Sequence, residues 1–311
     1  MLNSGEFSYE NKTQSLTKAM VMKAFRLFLA LLPTILAPLL AAEETKPAEA
    51  LVMVVMDPLA KPLSCPCVAG YAQRDYEKLA AALKARLGRD VKIVFNESLV
   101  AALKKSESNQ ADLVIGKQSV ILHDARTAEL KVEKVAMLTG KDGATTQRGL
   151  LVVPTGDPAK KLADLKDYRI FFGPEECDEK HAAALRLLKQ HGVSAPAKLE
   201  TAVACDEGAT NILELAPKGV RGCAVISSYA KPLLEGCGQV PKGALRVIGE
   251  TEEIPFIAAY VNADLDPTIK KALSEGLLKL TAGDVALRVA LETKRGFVAD
   301  ETPSDEVAKK K

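Results

Sequence analysis

Six cysteines are the most reactive side chains of this 311-residue chain, which has three histidines and no tryptophan. Cys65-Pro66-Cys67, Cys177 and Cys205 each fall shortly after an apolar run that reads as a β-strand. Cys223 and Cys237 flank a further strand and the helix after it. An even cysteine count in an oxidising compartment defaults to disulfides, and strand order pairs Cys177 with Cys205 and Cys223 with Cys237. Cys65 and Cys67 bridge poorly across Pro66. They stay open between a disulfide, free thiols and a soft-metal site completed by Cys177, Cys205 or His181. Two cysteines alone are far from a zinc pattern, and the metal stays unknown. The histidines form no catalytic set: His191 before Gly192 reads as a helix C-terminal cation and His123 as a helix-surface residue. No nucleophile–base signature, metalloprotease helix or phosphate-binding glycine loop is present. The chain reads as a binding protein with no cofactor, not an enzyme.

The remaining candidates are ligand-binding groups. Asp57 ends the first strand, and Arg74 could reach an anion bidentately. Ser119, Thr145, Thr146, Gln147, Ser227, Ser228 and Tyr229 supply neutral donors, although each residue type also serves turns and caps. Glu175, Glu176, Asp178 and Glu179 crowd one loop with His181, and Asp206 follows Cys205. Acidic residues suit the first turn of a helix. Four carboxylates around a dianion do not: two unit charges about 4 Å apart cost on the order of 4 kcal/mol at an effective dielectric near 20.

These residues are positioned by alternating strands and helices. Leu51–Met56, Val91–Phe95 and Ala111–Gly116 read as strands, with helices over Tyr76–Leu87 and Leu99–Lys104 between them. That succession implies a parallel sheet covered by helices. Gly149–Val153 is a further strand, and a second unit follows: strands at Arg169–Gly173, Glu200–Ala204, Cys223–Ile226 and Ile254–Val261, helices at Ala182–Leu188 and Pro267–Leu280. The expected fold class is α/β, with two doubly wound, parallel-rich lobes. In open sheets of this kind ligands bind beyond the carboxyl ends of the strands, where the candidates above fall.

Composition narrows the partners. A formal net charge of +2 and 5% aromatic residues give no basic footprint or stacking platform for nucleic acid. Lys23 and Arg26 precede an apolar run, Leu27–Leu40, that ends at Ala41-Ala42. It is short of the roughly 20 residues needed to span a bilayer and is broken by Pro33 and Pro38, so it reads as an export signal cleaved near Ala42. Translation from Met20 or Met22 fits that signal better than from Met1. No cysteine closes the apolar run, so a lipid anchor is not expected and a periplasm is.

In order and spacing, several segments resemble the phosphonate-type (phosphate, phosphite, phosphonate) substrate-binding proteins of ABC transporters, which have the type 2 periplasmic binding fold. They are the strand ending in Asp57-Pro58, Leu79–Val94, Ala111–Gly116 followed by Ser119, Arg148–Val153, Leu162–Lys166 leading into Tyr168-Arg169-Ile170, and Leu245–Ile248 ahead of Ile254-Pro255-Phe256. The resemblance implies two lobes joined by two crossings, near Gly149–Pro154 and Glu250–Pro255, that close on a small molecule for an inner-membrane permease. It implies residues 51–153 and 255–298 in lobe one and 154–254 in lobe two. A signal and extension (1–42), a linker (43–50) and a disordered tail (299–311) flank them, in a monomer. The family places hydroxyls in the loop that here reads Gly173-Pro174-Glu175-Glu176-Cys177-Asp178-Glu179, so phosphonate specificity is not expected to carry over. A periplasmic redox or metal-handling accessory using the cleft cysteines is the alternative.

Overall fold

The computed structural model describes residues 49–300, apart from Glu107, Cys205 and the side chain of Cys67. The expected signal segment, Cys205 and nearly all of the expected tail lie outside the described residues.

Lobe one opens with β1 (Leu51–Met56), whose uninterrupted apolar run is buried on both faces. Leu51, Met53 and Val55 join one core cluster, while Val52, Val54 and Met56 join the other. Then follow α1 (Tyr76–Leu87), β2 (Val91–Phe95), α2 (Leu99–Lys105), β3 (Leu113–Lys117), α3 (Gln118–Thr127) and β4 (Val132–Leu138). Asp75 caps α1 by accepting from the Lys78 amide, and Gly88 closes it in the left-handed conformation at φ 61°.

The chain then crosses through β5 (Thr146–Gln147) into lobe two. Its elements are β6 (Gly149–Pro154), β7 (Arg169–Phe172), α4 (Ala182–Gln190), β8 (Glu200–Thr201), α5 (Glu207–Leu215), β9 (Gly222–Ser227), α6 (Ala230–Gly236) and β10 (Leu245–Glu250). It returns through β11 (Ile254–Pro255) to β12 (Ile257–Asn262), α7 (Pro267–Gly283), α8 (Val285–Ala290) and β13 (Phe297–Val298).

The strands form a six-stranded sheet, β13-β4-β12-β3-β1-β2, and a five-stranded sheet, β10-β6-β9-β7-β8. β1 pairs in parallel with β2 and β3, and β7 with β8 and β9. The returning strands run the other way: β12 is antiparallel to β3 and β4, and β6 to β9 and β10. Both sheets are therefore mixed.

Between the sheets, β5 and β11 form a two-stranded antiparallel pair. Beside it Gly149 and Thr251 are tied twice, Gly149 N donating to the Thr251 side-chain Oγ1 at 2.8 Å and Thr251 N to the Gly149 carbonyl at 2.9 Å. β6 lies wholly in the five-stranded sheet, so the first crossing comes before Gly149 rather than within 149–154. An apolar run fits any buried strand and does not say to which sheet it belongs.

Candidate functional site

The strand ends of the two sheets face each other across two cavities. The larger, about 500 Å3, is walled by Leu59, Tyr71, Arg74, Lys141, Asp142, Thr146, Gln147, Phe256 and Glu292 from lobe one and the crossing. Ser228, Tyr229, Pro232 and Leu233 of lobe two face them. The second, about 420 Å3, lies among Ser119, His123, Arg126, Glu175, Glu176, Asp178, His181 and Pro255. Thus the predicted binding residues divide between two spaces: Arg74, Thr146, Gln147 and Tyr229 in the first, Ser119, Glu176, Asp178 and His181 in the second.

Arg74 is held at the first cavity by a buried network. Its Nη1 donates to Asp57 Oδ2 at 2.7 Å, and Tyr76 Oη donates to the same oxygen at 2.5 Å. Leu59 N donates to Asp57 Oδ1 at 2.9 Å. Asp57, at 0% exposure, is spent on these partners. The turn after β1 folds its carboxylate inward onto Arg74, away from the solvent side of the cavity. Burial disfavours the charged guanidinium, but Asp57 and Tyr76 outweigh it and raise the Arg74 pKa. The Tyr76 hydroxyl is pushed well up by burial and by Asp57.

Arg74 Nε and Gln147 Oε1 are buried without a hydrogen-bond partner among the described residues, and both residues line the larger cavity. The Arg74 guanidinium lies 5.8 Å from the Phe256 ring centre, and Phe256 stacks on Tyr229 with centroids 4.8 Å apart and planes 22° inclined. The cavity therefore has an aromatic wall built from both lobes, with Arg74 and Gln147 beside it. Thr146 Oγ1 donates to Glu253 Oε2 at 3.1 Å, and the Thr145 carbonyl accepts from Phe256 N at 2.9 Å, so both threonines brace the crossing.

A buried ion pair spans the lobes. Lys117, the last residue of β3, donates through Nζ to Glu179 Oε1 at 2.5 Å, and Ser227 Oγ, at the end of β9, donates to the same oxygen at 2.6 Å. The Lys117 and Glu179 side chains are 7% and 0% exposed. Burial pushes the Glu179 carboxyl up, but the charge of Lys117 with the hydrogen bonds from Lys117 and Ser227 brings it below its ordinary value. Burial likewise opposes the Lys117 charge, and Glu179, with smaller help from Cys177 and Tyr229, raises its pKa far above the usual value.

The sequence reading missed this pair as a unit. Glu179 is one of four crowded carboxylates in the sequence, and Lys117 is not singled out there as a partner for any of them. The available signal was a lysine closing an otherwise apolar strand. Glu176 and Asp178 are half-buried at the second cavity, with Asp178 N donating to Ser119 Oγ at 3.4 Å and His181 Nδ1 to the Gly173 carbonyl at 2.9 Å. Asp206 is the N-cap residue ahead of α5 and lines neither cavity.

The expected Cys223–Cys237 disulfide is corrected: both are free thiols. Cys223 packs with Val225 and α4 on one face of the five-stranded sheet, whereas α6, which ends at Cys237, packs through Ala230 and Leu234 on the other. Burial pushes the Cys223 thiol far up. Cys177 is also a free thiol, and its expected partner Cys205 lies outside the described residues. Cys65 is exposed at a small apolar groove beside Val68, Leu233 and Leu234, not in the larger cavity. Among the described residues no cluster of three or more His, Cys, Asp or Glu could hold a metal ion, and no helix is long and apolar enough to cross a membrane.

A family model described as "ABC transporter, phosphonate, periplasmic substrate-binding protein" matches residues 70–302. No curated protein sequence matches the chain. Among solved structures, a binding protein component of an ABC phosphonate transporter from Pseudomonas aeruginosa is similar at TM-score 0.59 and 15% identity, over 81% of this chain and 81% of that one. PhnD1 from Prochlorococcus marinus, in complex with methylphosphonate, gives TM-score 0.59 and 15% identity over 81% and 93% of the two chains. XAC2383 from Xanthomonas citri, bound to ATP, gives TM-score 0.59 and 15% identity over 81% and 92%. At such identities these structures show a common fold alone.

Proposed function

The chain belongs to the family of periplasmic substrate-binding proteins of phosphonate-type ABC transporters, a family of binding proteins rather than enzymes, and from that premise we propose that it captures its solute in the larger inter-lobe cavity. One observation carries the reading: Arg74 and Gln147, each with a buried polar atom (Nε and Oε1) unpartnered among the described residues, line that cavity beside the Tyr229–Phe256 stack. A buried polar atom without a partner costs about 1–3 kcal/mol. A solute with an acceptor for Arg74, a donor for Gln147 and a flat or apolar part for the aromatic wall relieves both. The charge balance disfavours a dianion. Arg74 is already neutralised by Asp57, and Lys141 and Glu292 form an ion pair beside Asp142, whose carboxylate has no ion-pair partner among the described residues. The preferred solute is neutral or carries one charge.

Capture proceeds by closure of the lobes about residues 145–149 and 250–256, and the solute passes to an inner-membrane permease. The protein acts as a monomer whose mature chain begins near Glu43, after the apolar run Leu27–Leu40. A thermal-shift screen covering phosphate, phosphonates, small cationic solutes, small neutral amphiphiles, Zn2+ and Cu(I) tests the reading. A ligand at about 100 times its Kd adds about 2.7 kcal/mol of stability. A neutral or singly charged solute should stabilise the native protein and lose that effect in Tyr229→Ala. Strong stabilisation by phosphonate dianions, unchanged in Tyr229→Ala, overturns the ligand class and the cavity together.

A further inference from the structure

Lys117 and Ser227 end strands of opposite sheets and converge on one point between the lobes, where sheets of this architecture present ligands to both halves. An ammonium and a hydroxyl, one from each side and both buried, make a seat for an oxyanion. Here the oxyanion is tethered to the chain. We propose that Glu179 is the protein's own occupant of this inter-lobe anion seat and the residue that excludes free oxyanions, phosphates and phosphonates among them, from Lys117 and Ser227.

The loop is built to deliver that carboxylate. Gly173 N donates to the Lys180 carbonyl at 3.1 Å, and the Lys180 and His181 amides both donate back to the Cys177 carbonyl, closing residues 173–181 on themselves. The Glu179 carbonyl presses against the Cα of Gly149, where a Cβ would collide with it, and a Cβ at Gly173 would lie 2.5 Å from the Lys180 Cβ. Two glycines at the lobe boundary thus admit the loop to full depth.

Net stability is a weak reason for the pair, because buried ion pairs seldom outdo apolar residues of similar volume. Glu179 Oε2, moreover, has no hydrogen-bond partner among the described residues. Selection against external anions accounts for a carboxylate held there with only one oxygen satisfied. This inference rests on the reading that the cleft is the binding site. It concerns the seat at Lys117, not the cavity at Tyr229.

Chemical rescue tests it. Glu179→Ala leaves Lys117 without its partner and should melt several degrees lower than the native protein. Millimolar formate, inorganic phosphate or methylphosphonate should restore much of that loss, while chloride at equal ionic strength should not. The same anions should leave the native protein unshifted, and Glu179→Ala combined with Lys117→Met should not respond. A folded Glu179→Ala protein that ignores all three oxyanions overturns the proposal, even if a neutral solute still binds at Tyr229. If Glu179→Ala does not fold, the native protein decides: displacement or stabilisation by methylphosphonate with a requirement for Lys117 overturns it, and indifference supports it.

Discussion

At the residue scale, the buried pair gives the protein an acid-sensitive joint. The groups facing Glu179 are Lys117 from β3, Ser227 from β9, and Lys180 on its own loop, with Cys177 and Tyr229 close to the Lys117 ammonium. Since the folded-state pKa of Glu179 lies below its ordinary 4.5, the unfolded chain takes up this proton first as pH falls. The stabilisation from Glu179 is fully present above about 4.5 and is lost as pH drops through the lower folded value. Melting temperatures measured from about pH 7 to about pH 3 should fall more steeply for the native protein than for Glu179→Gln. The glutamine variant starts lower because it leaves Lys117 unneutralised. Parallel profiles would show that the pair does not carry this charge coupling. Such a pair was not legible in the sequence. Charge repulsion sets four carboxylates against a shared anion, but nothing local says that Glu179 alone turns inward to a lysine 62 residues away.

Elements were easier to read where one physical signal dominated. β1, α1 and β2 follow from an apolar run, a 3.6-residue periodicity and a glycine cap, and fall within the expected bounds. β4 was overlooked because its first half, Val132-Glu133-Lys134, is polar, and its place in the sheet depends on β12 returning between it and β3. The expected parallel pairing is present between β1 and its neighbours and between β7 and its neighbours, while β12 runs antiparallel, a direction to which periodicity is blind.

The glycines at the crossing give a sharper test of element packing. Gly149→Ala places a methyl group against the Glu179 carbonyl and 3.1 Å from Thr251 Cγ2, so it should destabilise by about 1–3 kcal/mol in urea unfolding. Gly156→Ala, which meets nothing within 4 Å, should stay within about 0.5 kcal/mol. Equal effects would mean that the loop of residues 173–181 does not depend on the close approach at Gly149.

On the scale of the whole molecule, two mixed sheets are joined by a pair of antiparallel crossings, and their strand ends close over a cavity with an aromatic wall contributed by both. The fold class was legible because strand–helix alternation leaves few alternatives. The cavity was legible only in part. Arg74, Gln147 and Tyr229 were named one by one, but the partnership of Tyr229 with Phe256 arises from lobes that meet only in three dimensions. A native mass spectrum of the protein purified from its own periplasm, beside Tyr229→Ala prepared identically, tests the central claim most directly. The account predicts one small molecule per chain, neutral or singly charged, on the native protein and missing from the variant. An adduct retained in full by Tyr229→Ala, or one identified as a phosphonate dianion, would contradict it.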